Sequence, residues 1–537
     1  MKCGRASNIW INLCLTLAVG RRIRYIQMSI TPDQLQAERT GHKHDALNAI
    51  VLIIVGGLLG IYLIASTVLI SKDGVLYIEQ AKLFSSDPAA VMKGDTPGYP
   101  ILIFGTHKLV GLFGDNSSLF GWIYTAQGMT LLFRLLALVP LYLIGKRLVG
   151  ARDSFYAMLI LVLLPYPAKM SCELTREWPY VLFLALGFLL LLRGAAHTTW
   201  WTFGAVGLAA GLGHIIRPEG AQLVVFGVLW LLLRLIRPGR DLSRAKIGLA
   251  LVALVIGFAI PVVPYAKARG RIMPEKLREL LACSHESQLE TVLREDSDNH
   301  NETYATASLV GSLAEAVREF IEKVSENLLY FFVPPLLVGA YLRSRDRLTA
   351  GVEKFFVTAF FLLNIAMPVL LYCNYNYISR RHALPFVLLG IFYVPLGLRA
   401  IGNRLEREIF RSRPPANKNS LRWFSILLIL GFAVCLPKLL QPAGADKQGY
   451  RDAAEWLKNN TDAEDVIAIA DRRISFYAER TGLIYEDGVP GGVDYFVTVA
   501  ANSGQAKNPG RAAEEAYSVA VNRREKSGKK LVIYKIM

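Results

Sequence analysis

The sequence predicts a mainly α-helical, polytopic membrane protein with a small α/β domain at its C-terminal end. Hydrophobic residues make up 53% of the 537-residue chain and charged residues only 19%, which is too apolar for an ordinary soluble protein of this length. Long apolar runs recur from residue 46 to residue 440, and short strands alternating with helices follow them. Together these observations predict a transmembrane helical bundle that carries one extramembrane domain.

About eleven apolar runs are candidate membrane spans, because a bilayer core requires roughly 20 apolar residues per helix. They cover residues 46–70, 119–144, 154–168, 180–192, 200–216, 221–235, 247–265, 328–341, 355–372, 384–398 and 423–440. Residues 1–45 are predicted to form a cytoplasmic N-terminal tail, within which Met28 opens a polar segment typical of a natural N-terminus. Residues 1–27 contain no small-residue cleavage pattern, so a signal peptide is not predicted.

The loops between these runs alternate in their content of arginine and lysine. The basic loops are 145–153, 193–199, 237–246, 343–354 and 399–422. Short basic loops of membrane proteins face the cytoplasm, so we expect a cytoplasmic N-terminus and outer loops at 71–118 and 266–327. The chain is thus predicted to be a multi-pass protein of the cell (inner) membrane, with its C-terminal domain extracytoplasmic.

The net charge of +17 is explained by the same loops. In a soluble protein such an excess would indicate nucleic-acid binding, but here the basic residues collect in inward-facing loops. We therefore expect membrane lipids as partners and no nucleic acid. The six cysteines are scattered without a CxxC pair, so neither a zinc site nor a disulfide framework is predicted.

The segment 446–537 is predicted to be the small α/β domain. Residues 465–470, 494–499 and 531–536 have the composition of strands, and residues 450–459 and 511–523 are predicted to be helices. Within the outer loop 266–327, helices are predicted at 273–281 and 309–324. The C-terminal domain has no glycine-rich phosphate loop, so a nucleotide site is not predicted there.

Acidic residues at the outer ends of the spans are candidates for chemistry, because charge is costly at membrane depth. Asp73, with Tyr77 nearby, follows the first span, and a carboxylate there can take a proton from an attacking hydroxyl. The alternative is that Asp73 caps a helix that begins near Val75. Glu173 and Glu177 are predicted to share one helical face and to form an acidic pocket with Asp73. For this pair the alternative is a hydrated helix end.

Two further features lie on the predicted outer side. The prolines and glycine of residues 95–100 predict a rigid turn, which either holds substrate or simply connects two helices. Basic groups follow at Arg217, beside Glu219, and at residues 380–382. Guanidinium groups bind phosphate through two parallel hydrogen bonds, so cations beside carboxylates predict a lipid phosphate substrate. Headgroup binding and a local Arg217–Glu219 salt bridge are the alternatives.

These motifs resemble those of the GT-C superfamily of membrane glycosyltransferases, both in their order along the chain and in the side of the membrane on which they are predicted to lie. The nearest resemblance is to the bacterial family 39 branch, which is related to protein O-mannosyltransferases and to lipid A aminoarabinose transferases. It covers residues 46–400 and rests on Asp73 with Tyr77, Pro-Gly-Tyr-Pro at 97–100, Thr-Arg-Glu at 175–177, Arg-Pro-Glu-Gly at 217–220 and Arg-Arg-His-Ala-Leu-Pro at 380–385.

The resemblance implies a GT-C-type bundle that moves a hexose or pentose from a polyprenyl-phosphate donor to a hydroxyl acceptor on the outer face. The acceptor would be a lipid, a protein or a cell-envelope glycan, and a single displacement would invert the anomeric configuration. The implied site residues are Asp73 as catalytic residue, Glu177 and Glu173 as second acidic site, Arg217, Arg380, Arg381 and His382 for the donor phosphate, and Tyr77, Asp95, Tyr99 and Glu219 around the pocket.

One position departs from the family pattern. Gly74 stands where many relatives have a second acidic residue directly after the first-loop aspartate, which weakens the case for a metal at this position. The family contains metal-dependent and metal-independent members, so a divalent metal is an open question and no other cofactor is predicted.

Two other classes of function compete with the enzyme. Charges buried within the spans would support a lipid-linked sugar transporter or flippase, and Arg134 is one of few candidates. A non-catalytic membrane scaffold, whose C-terminal domain binds a partner, is the third possibility.

Overall fold

The computed structural model describes residues 32–197, 199–236, 243–270, 302–345, 351–409, 420–485, 490–500, 513–522 and 528–537. The predicted helix at 273–281 and the N-terminal segment 1–27 lie outside these residues. The chain divides into two compact units, Met1–Val51 and Leu52–Met537. All the sites described below belong to the second unit.

Helices dominate the described chain. They are α1 (Pro32–Ala65), α2 (Lys72–Leu83), α3 (Pro88–Lys93), α4 (Gly98–Gly111), α5 (Leu119–Val149), α6 (Ala151–Leu163), α7 (Pro165–Lys169), α8 (Glu177–His197), α9 (Trp200–Ile216), α10 (Gln222–Ile236), α11 (Arg244–Arg269), α12 (Glu302–Asn327), α13 (Val333–Arg345), α14 (Gly351–Tyr375), α15 (Arg380–Gly390), α16 (Val394–Ile409), α17 (Ser420–Leu440), α18 (Gln448–Asn460) and α19 (Arg472–Ala478). A 3₁₀ turn, Pro218–Ala221, precedes α10.

Eight helical segments of the described chain are long and apolar enough to cross a membrane. They are His44–Ala65, Leu119–Val149, Glu177–Ala195, Pro218–Ile236, Arg244–Arg269, Gly351–Tyr375, Arg380–Glu408 and Arg422–Asn460. The other three predicted spans form helices α6, α9 and α13, of 13, 17 and 13 residues, which are shorter than the roughly 20 residues of a straight span. The chain is therefore a multi-pass membrane protein.

Packing places α8 at the centre of the bundle. In its apolar stretch 78% of the residues are buried, against 22% in the first span, where leucine and isoleucine side chains remain exposed. Helices α9 and α11 approach each other closely at Gly207, where a Cβ atom would lie 2.1 Å from the Leu254 carbonyl oxygen. Small residues permit such contacts between helices in membranes, where no hydrophobic effect drives association.

The C-terminal segment folds into a five-stranded mixed sheet. Its strands are β1 (Val466–Ile469), β2 (Thr481–Ile484), β3 (Tyr495–Ala500), β4 (Ala513–Ala520) and β5 (Lys530–Ile536), in the order β2-β1-β3-β5-β4. Strands β2, β1 and β3 are parallel, and β5 runs antiparallel to β3 and β4. Helix α18 packs on the sheet, with Trp456 stacked on Tyr517 at 5.3 Å.

The predicted helix at 511–523 is wrong, because its described residues form β4. Alanine and glutamate in this segment favour a helix when considered alone. Pairing along the whole length of β5 instead places β4 at the edge of the sheet, so tertiary pairing overrides local propensity. The three predicted strands correspond to β1, β3 and β5.

Candidate active site

Helix α2 begins directly after the first span and is anchored at its N-terminus. The Ser71 hydroxyl caps the helix by accepting a hydrogen bond from the Gly74 amide at 2.9 Å. The Ser71 amide donates to the Glu173 carbonyl oxygen at 3.1 Å. Ser71, and not Asp73, is therefore the N-cap, so the capping alternative for Asp73 is wrong and its side chain has another partner.

Gly74 is required by the close approach of two segments. A Cβ atom at this position would lie 2.9 Å from the Leu174 Cβ and 3.0 Å from the Glu173 carbonyl oxygen. A side chain here would force α2 away from the turn that precedes α8. The missing second acidic residue thus has a packing explanation, because no carboxylate fits at residue 74 without moving the backbone.

Asp73 forms an ion pair with Arg381, which lies 308 residues later at the start of α15. The Arg381 Nη1 donates to Asp73 Oδ2. Both side chains remain partly accessible, with 41% of Asp73 and 35% of Arg381 exposed. The fold thus brings a carboxylate and a guanidinium together at an accessible end of the helical bundle.

A second group of charges, which we call the buried triad, lies beside this pair and consists of Glu177, Arg217 and Glu219. The Arg217 Nη1 donates to Glu177 Oε1 at 3.0 Å, and Nη2 donates to Glu219 Oε1 at 2.7 Å. Glu177 and Arg217 are 2% and 5% exposed, whereas 30% of the Glu219 side chain is exposed, so the triad takes its name from the first two. The charges of Glu177 and Arg217 both act on Arg381. The buried triad and the Asp73–Arg381 pair therefore interact electrostatically.

Glu173 belongs to the same region but not to a helix. The backbone from 170 to 176 forms turns, and α8 begins only at Glu177, so the expectation that Glu173 and Glu177 share one helical face is wrong. Leu174 between them has a positive φ of 59°, which breaks the helical path. Burial raises the pKa of the Glu173 carboxyl, although Lys169, Arg380 and Arg381 nearby oppose this effect.

Replacing Glu173 with glutamine is expected to stabilise the protein increasingly as pH rises above 4.5. A carboxyl whose pKa is raised by folding holds its proton in the folded state after the unfolded chain has lost it. Stability therefore falls with rising pH above the ordinary value of 4.5, and Glu173→Gln removes that fall. The measurement is the melting temperature of wild type and variant between pH 4.5 and 8. A pH-independent difference, like that expected of exposed Glu322→Gln, would contradict the raised pKa of the Glu173 carboxyl.

The predicted pocket residues occupy two layers around α2. Tyr77 is 7% exposed, and its pKa is raised by burial. Its ring meets Tyr99 edge-on at 5.0 Å, and Tyr99 lies fully buried beneath it, with its hydroxyl 2.7 Å from that of Thr130. Asp95 lies at the surface, where it pairs with Arg269.

The turn that contains Asp95 is held by several contacts. Thr96 accepts a hydrogen bond from Arg176 Nη1 and adopts a positive φ of 61°. The Thr96 amide also donates to the Tyr265 hydroxyl at 3.4 Å. These contacts place the turn next to Arg176, whose charge acts on Tyr77.

Arg380 and His382 flank Arg381 but have different neighbours. The Arg380 guanidinium stacks over the Tyr166 ring at 3.8 Å, and Lys438 approaches the same ring at 4.6 Å. The Ser379 amide donates to His382 Nδ1 at 3.1 Å, which caps α15. Sequence reasoning missed Tyr166 and Lys438. Lys438 lies within the predicted span 423–440, where a charge is costly, and that signal could have identified it.

The C-terminal sheet domain contacts the helix that carries Asp73, which the sequence did not suggest. Lys72 Nζ lies 3.3 Å from Asp471 Oδ2, and Glu79 lies 3.6 Å from Arg472. The Ile70 amide donates to the Tyr477 hydroxyl at 3.2 Å. Helix α2 is therefore held between the membrane helices and α19.

The described residues do not fit a divalent metal at this site. The part of the chain that the structure describes contains no group of three or more potential ligands. Asp73 and Glu177 each pair with a guanidinium, and a carboxylate at residue 74 would collide with the backbone. We therefore derive no step through a metal.

Comparison with known proteins agrees with this architecture. Residues 113–265 match the profile of a family described as dolichyl-phosphate-mannose-protein mannosyltransferase. This match spans part of the helical bundle and ends at Tyr265, next to the turn around Thr96. No curated protein sequence matches the chain significantly.

Solved structures resemble the chain over most of its length. ArnT from Cupriavidus metallidurans bound to undecaprenyl phosphate has a TM-score of 0.56 at 13% identity, over 90% of this chain and 97% of ArnT. The oligosaccharyltransferase AglB from Archaeoglobus fulgidus, in complex with an inhibitory peptide and a dolichol-phosphate, has a TM-score of 0.50 at 13% identity, over 84% of this chain and 69% of AglB. The predicted resemblance is thus confirmed at the level of fold: the chain is built on the GT-C architecture of membrane glycosyltransferases.

Proposed function

We propose that this protein is a membrane glycosyltransferase that moves a sugar from a polyprenyl-phosphate donor to a hydroxyl acceptor. The observation that carries the proposal is the Asp73–Arg381 pair, a partly accessible carboxylate and guanidinium beside a buried triad of charges. Transfer to a hydroxyl requires a base for the acceptor proton and a cation for the departing phosphate. The pair supplies one of each at adjacent positions.

In the proposed reaction, the acceptor oxygen attacks the anomeric carbon while Asp73 takes the hydroxyl proton. The new bond joins the acceptor oxygen to that carbon, and the bond from the carbon to the phosphate oxygen breaks. The electron pair leaves with the lipid phosphate, whose negative charge Arg381 stabilises. Attack from the face opposite the leaving group inverts the anomeric configuration.

The buried triad serves this reaction as a positioning element. Arg217 is buried and already donates hydrogen bonds to two carboxylates. These contacts favour a role in which Arg217 holds Glu177 and Glu219 in position, rather than one in which it binds the phosphate directly. Direct binding of phosphate by Arg217 stays an untested prediction. Arg381 and Arg380 keep 35% and 41% of their side chains exposed, and both are better placed to meet a lipid phosphate.

The neighbours' ligands and the loop charges support the donor class and the side of the membrane. ArnT was solved with undecaprenyl phosphate, and AglB with a dolichol-phosphate and a peptide. The segment Arg380–Glu408 begins at the site and reaches Arg399, which pairs with Asp153 of a basic loop, about five helical turns after Arg381. By the positive-inside rule, the site would face outwards, and the acceptor would be a lipid, protein or glycan of the cell envelope.

The transporter alternative receives no support from Arg134. This arginine is fully buried in α5, where Nη2 donates to the Val162 carbonyl oxygen at 2.9 Å and the guanidinium lies 5.5 Å from the Trp178 ring. Both contacts are made to neighbouring protein groups. They favour a structural role over an ion pathway, which is typically lined by interacting ionisable groups.

Mass spectrometry of envelope glycolipids and glycoproteins tests the proposed function. A strain lacking the gene is compared with strains complemented by wild type or by Asp73→Asn at equal protein level. We expect one species to lose the mass of a hexose or pentose residue in the deletion strain, and to regain it only with wild type. Identical glycan profiles in all three strains would contradict glycosyl transfer.

Replacing Arg381 with glutamine is expected to weaken binding of undecaprenyl phosphate by about tenfold or more, the usual effect of losing a hydrogen bond to a charged group. Arg381→Lys should retain part of the affinity, since it keeps the charge but loses the fork geometry. Titration of the purified protein by native mass spectrometry measures both variants. Arg472→Gln, an exposed arginine outside the site, is the control, and unchanged affinity of Arg381→Gln would refute the phosphate role.

A further inference from the structure

A cavity of about 250 Å³ lies beside the start of α2, between the first span, α5 and the C-terminal domain. Ile64 lines it from the first span, Ile70 from the segment between that span and α2, Phe120 and Gln127 from α5, and Tyr477 from α19. None of its lining residues belongs to the Asp73–Arg381 pair or to the buried triad. The cavity is therefore separate from the proposed donor site, although Ile70 is only three residues from Asp73.

Gln127 lines the cavity and has an unused hydrogen-bond acceptor. Its side chain is only 1% exposed, and its Nε2 donates to the Cys172 carbonyl oxygen at 2.7 Å. Its Oε1 has no hydrogen-bond partner among the residues the structure describes. A buried amide oxygen without a donor is costly, so a ligand that supplies an O–H or N–H would remove that cost.

Arg451 lines the same cavity and has an unused hydrogen-bond donor. Its guanidinium lies between two rings, 4.9 Å from Phe120 and 4.2 Å from Tyr477. Its buried Nη1 has no acceptor, and no carboxylate pairs with it, within the described chain. Stacking on a ring occupies only the face of a guanidinium and leaves its in-plane N–H groups able to donate hydrogen bonds. The contacts of Arg451 with the two rings therefore do not explain what its N–H groups bind.

We propose that this cavity binds the phosphate of a polyol phosphate head group, with Arg451 bonded to the phosphate and Gln127 to a hydroxyl. The aromatic rings of Phe120 and Tyr477 cover the carbon skeleton, and the apolar side chains of the first span border the lipid side. The head group belongs either to a phospholipid or to a soluble phosphate ester. A neutral sugar would leave Arg451 without an anion, and a phosphocholine would leave Gln127 without a donor.

Native mass spectrometry of the purified full-length chain in detergent tests the site with three probes. Dioleoyl-phosphatidylglycerol carries phosphate, hydroxyls and acyl chains, glycerol 3-phosphate lacks the acyl chains, and dioleoyl-phosphatidylcholine lacks the hydroxyls. We expect phosphatidylglycerol to bind about tenfold more weakly to Arg451→Gln than to wild type. Gln127→Met should weaken binding of phosphatidylglycerol and leave binding of phosphatidylcholine unchanged, because only phosphatidylglycerol supplies a hydroxyl to Gln127.

Matched variants separate the site from folding and from the donor site. Arg451→Lys keeps the charge and should recover part of the binding, and melting temperatures of all variants report whether they fold. Arg472→Gln, in the same domain but outside the cavity, and Arg381→Gln, in the proposed donor site, should bind phosphatidylglycerol as wild type does. Loss of binding in Arg381→Gln but not in Arg451→Gln would overturn the inference.

The probes also identify the source of the phosphate. Binding of phosphatidylglycerol but not of glycerol 3-phosphate, lost in Arg451→Gln, supports a phospholipid. Equal binding of glycerol 3-phosphate with the same loss supports a soluble ester. Binding of neither probe by wild type, or binding that Arg451→Gln and Gln127→Met leave unchanged, overturns the site.

Discussion

Asp73→Asn is expected to reduce sugar transfer by about 10²- to 10⁴-fold, the range typical of removing a general base. Asparagine has nearly the same shape and can still accept a hydrogen bond from Arg381 Nη1, but it cannot take the proton of an acceptor hydroxyl. The helix start should be unaffected, because Ser71 and not Asp73 caps α2. The fold is therefore retained, and the loss should appear in kcat.

The measurement is transfer of labelled sugar in membranes that contain equal amounts of each protein. Asp115→Asn is the matched control, since Asp115 is an exposed carboxylate of the same loop region and accepts a hydrogen bond from the nearby Ser117 amide. We expect Asp115→Asn to transfer at the wild-type rate. Near-normal transfer by Asp73→Asn would refute its role as base.

Measurements of lipid-phosphate binding distinguish the role of Asp73 from that of its partner Arg381. Undecaprenyl phosphate should bind Asp73→Asn at least as tightly as wild type, because the substitution removes a negative charge next to Arg381. Arg381→Gln should show the opposite pattern, with weakened binding of the lipid phosphate. If Asp73→Asn lost lipid binding and transfer in parallel, the carboxylate would be a structural partner of Arg381 rather than a catalytic residue.

Arg217→Gln is expected to destabilise the protein by about 3–5 kcal/mol, the usual cost of removing one partner of a buried ion pair. Glu177 would then be a buried carboxylate with no cation, since it is 2% exposed and bonds to Arg217 at 3.0 Å. Glu219 would lose its partner as well. The loss should appear as a lower melting temperature in detergent.

A double variant distinguishes unpaired charge from lost packing. Glu177→Gln in the Arg217→Gln background removes one of the orphaned carboxylates and should restore part of the melting temperature. Lys458→Gln is the control, because Lys458 and its partner Glu479 are both 46% exposed and such pairs contribute at most about 1 kcal/mol. Equal melting temperatures for Arg217→Gln and Lys458→Gln would contradict the buried triad.

Much of the architecture could be predicted because a bilayer imposes strict local rules. Apolar length identifies spans without reference to the rest of the chain, and each predicted span corresponds to one helix or to two successive helices. Some predicted spans form helices too short to cross a membrane when straight, as in α6 and α13, which are 13 residues long. Local rules were weaker in the C-terminal domain, where pairing with β5 turned the predicted helix around residue 517 into strand β4.

The candidate site was predictable as a set of residues but not as an arrangement. Asp73, Glu177, Arg217 and Arg381 stand out because charge is expensive near a membrane. Which of them pair with each other could not be predicted, because 308 residues separate Asp73 from Arg381 and 40 separate Glu177 from Arg217. Only packing shows that Arg381 faces Asp73 while Arg217 is enclosed by two carboxylates.

By itself, the sequence determined the membrane-embedded helical class, the approximate spans and the charged residues at their ends. Each of these follows from the local cost of placing polar groups in lipid. The tertiary structure alone decided which charges pair, why residue 74 is glycine, and how Gln127 and Arg451 come to line one cavity. Those facts depend on contacts between segments far apart in the chain, and no local pattern of residues encodes such contacts.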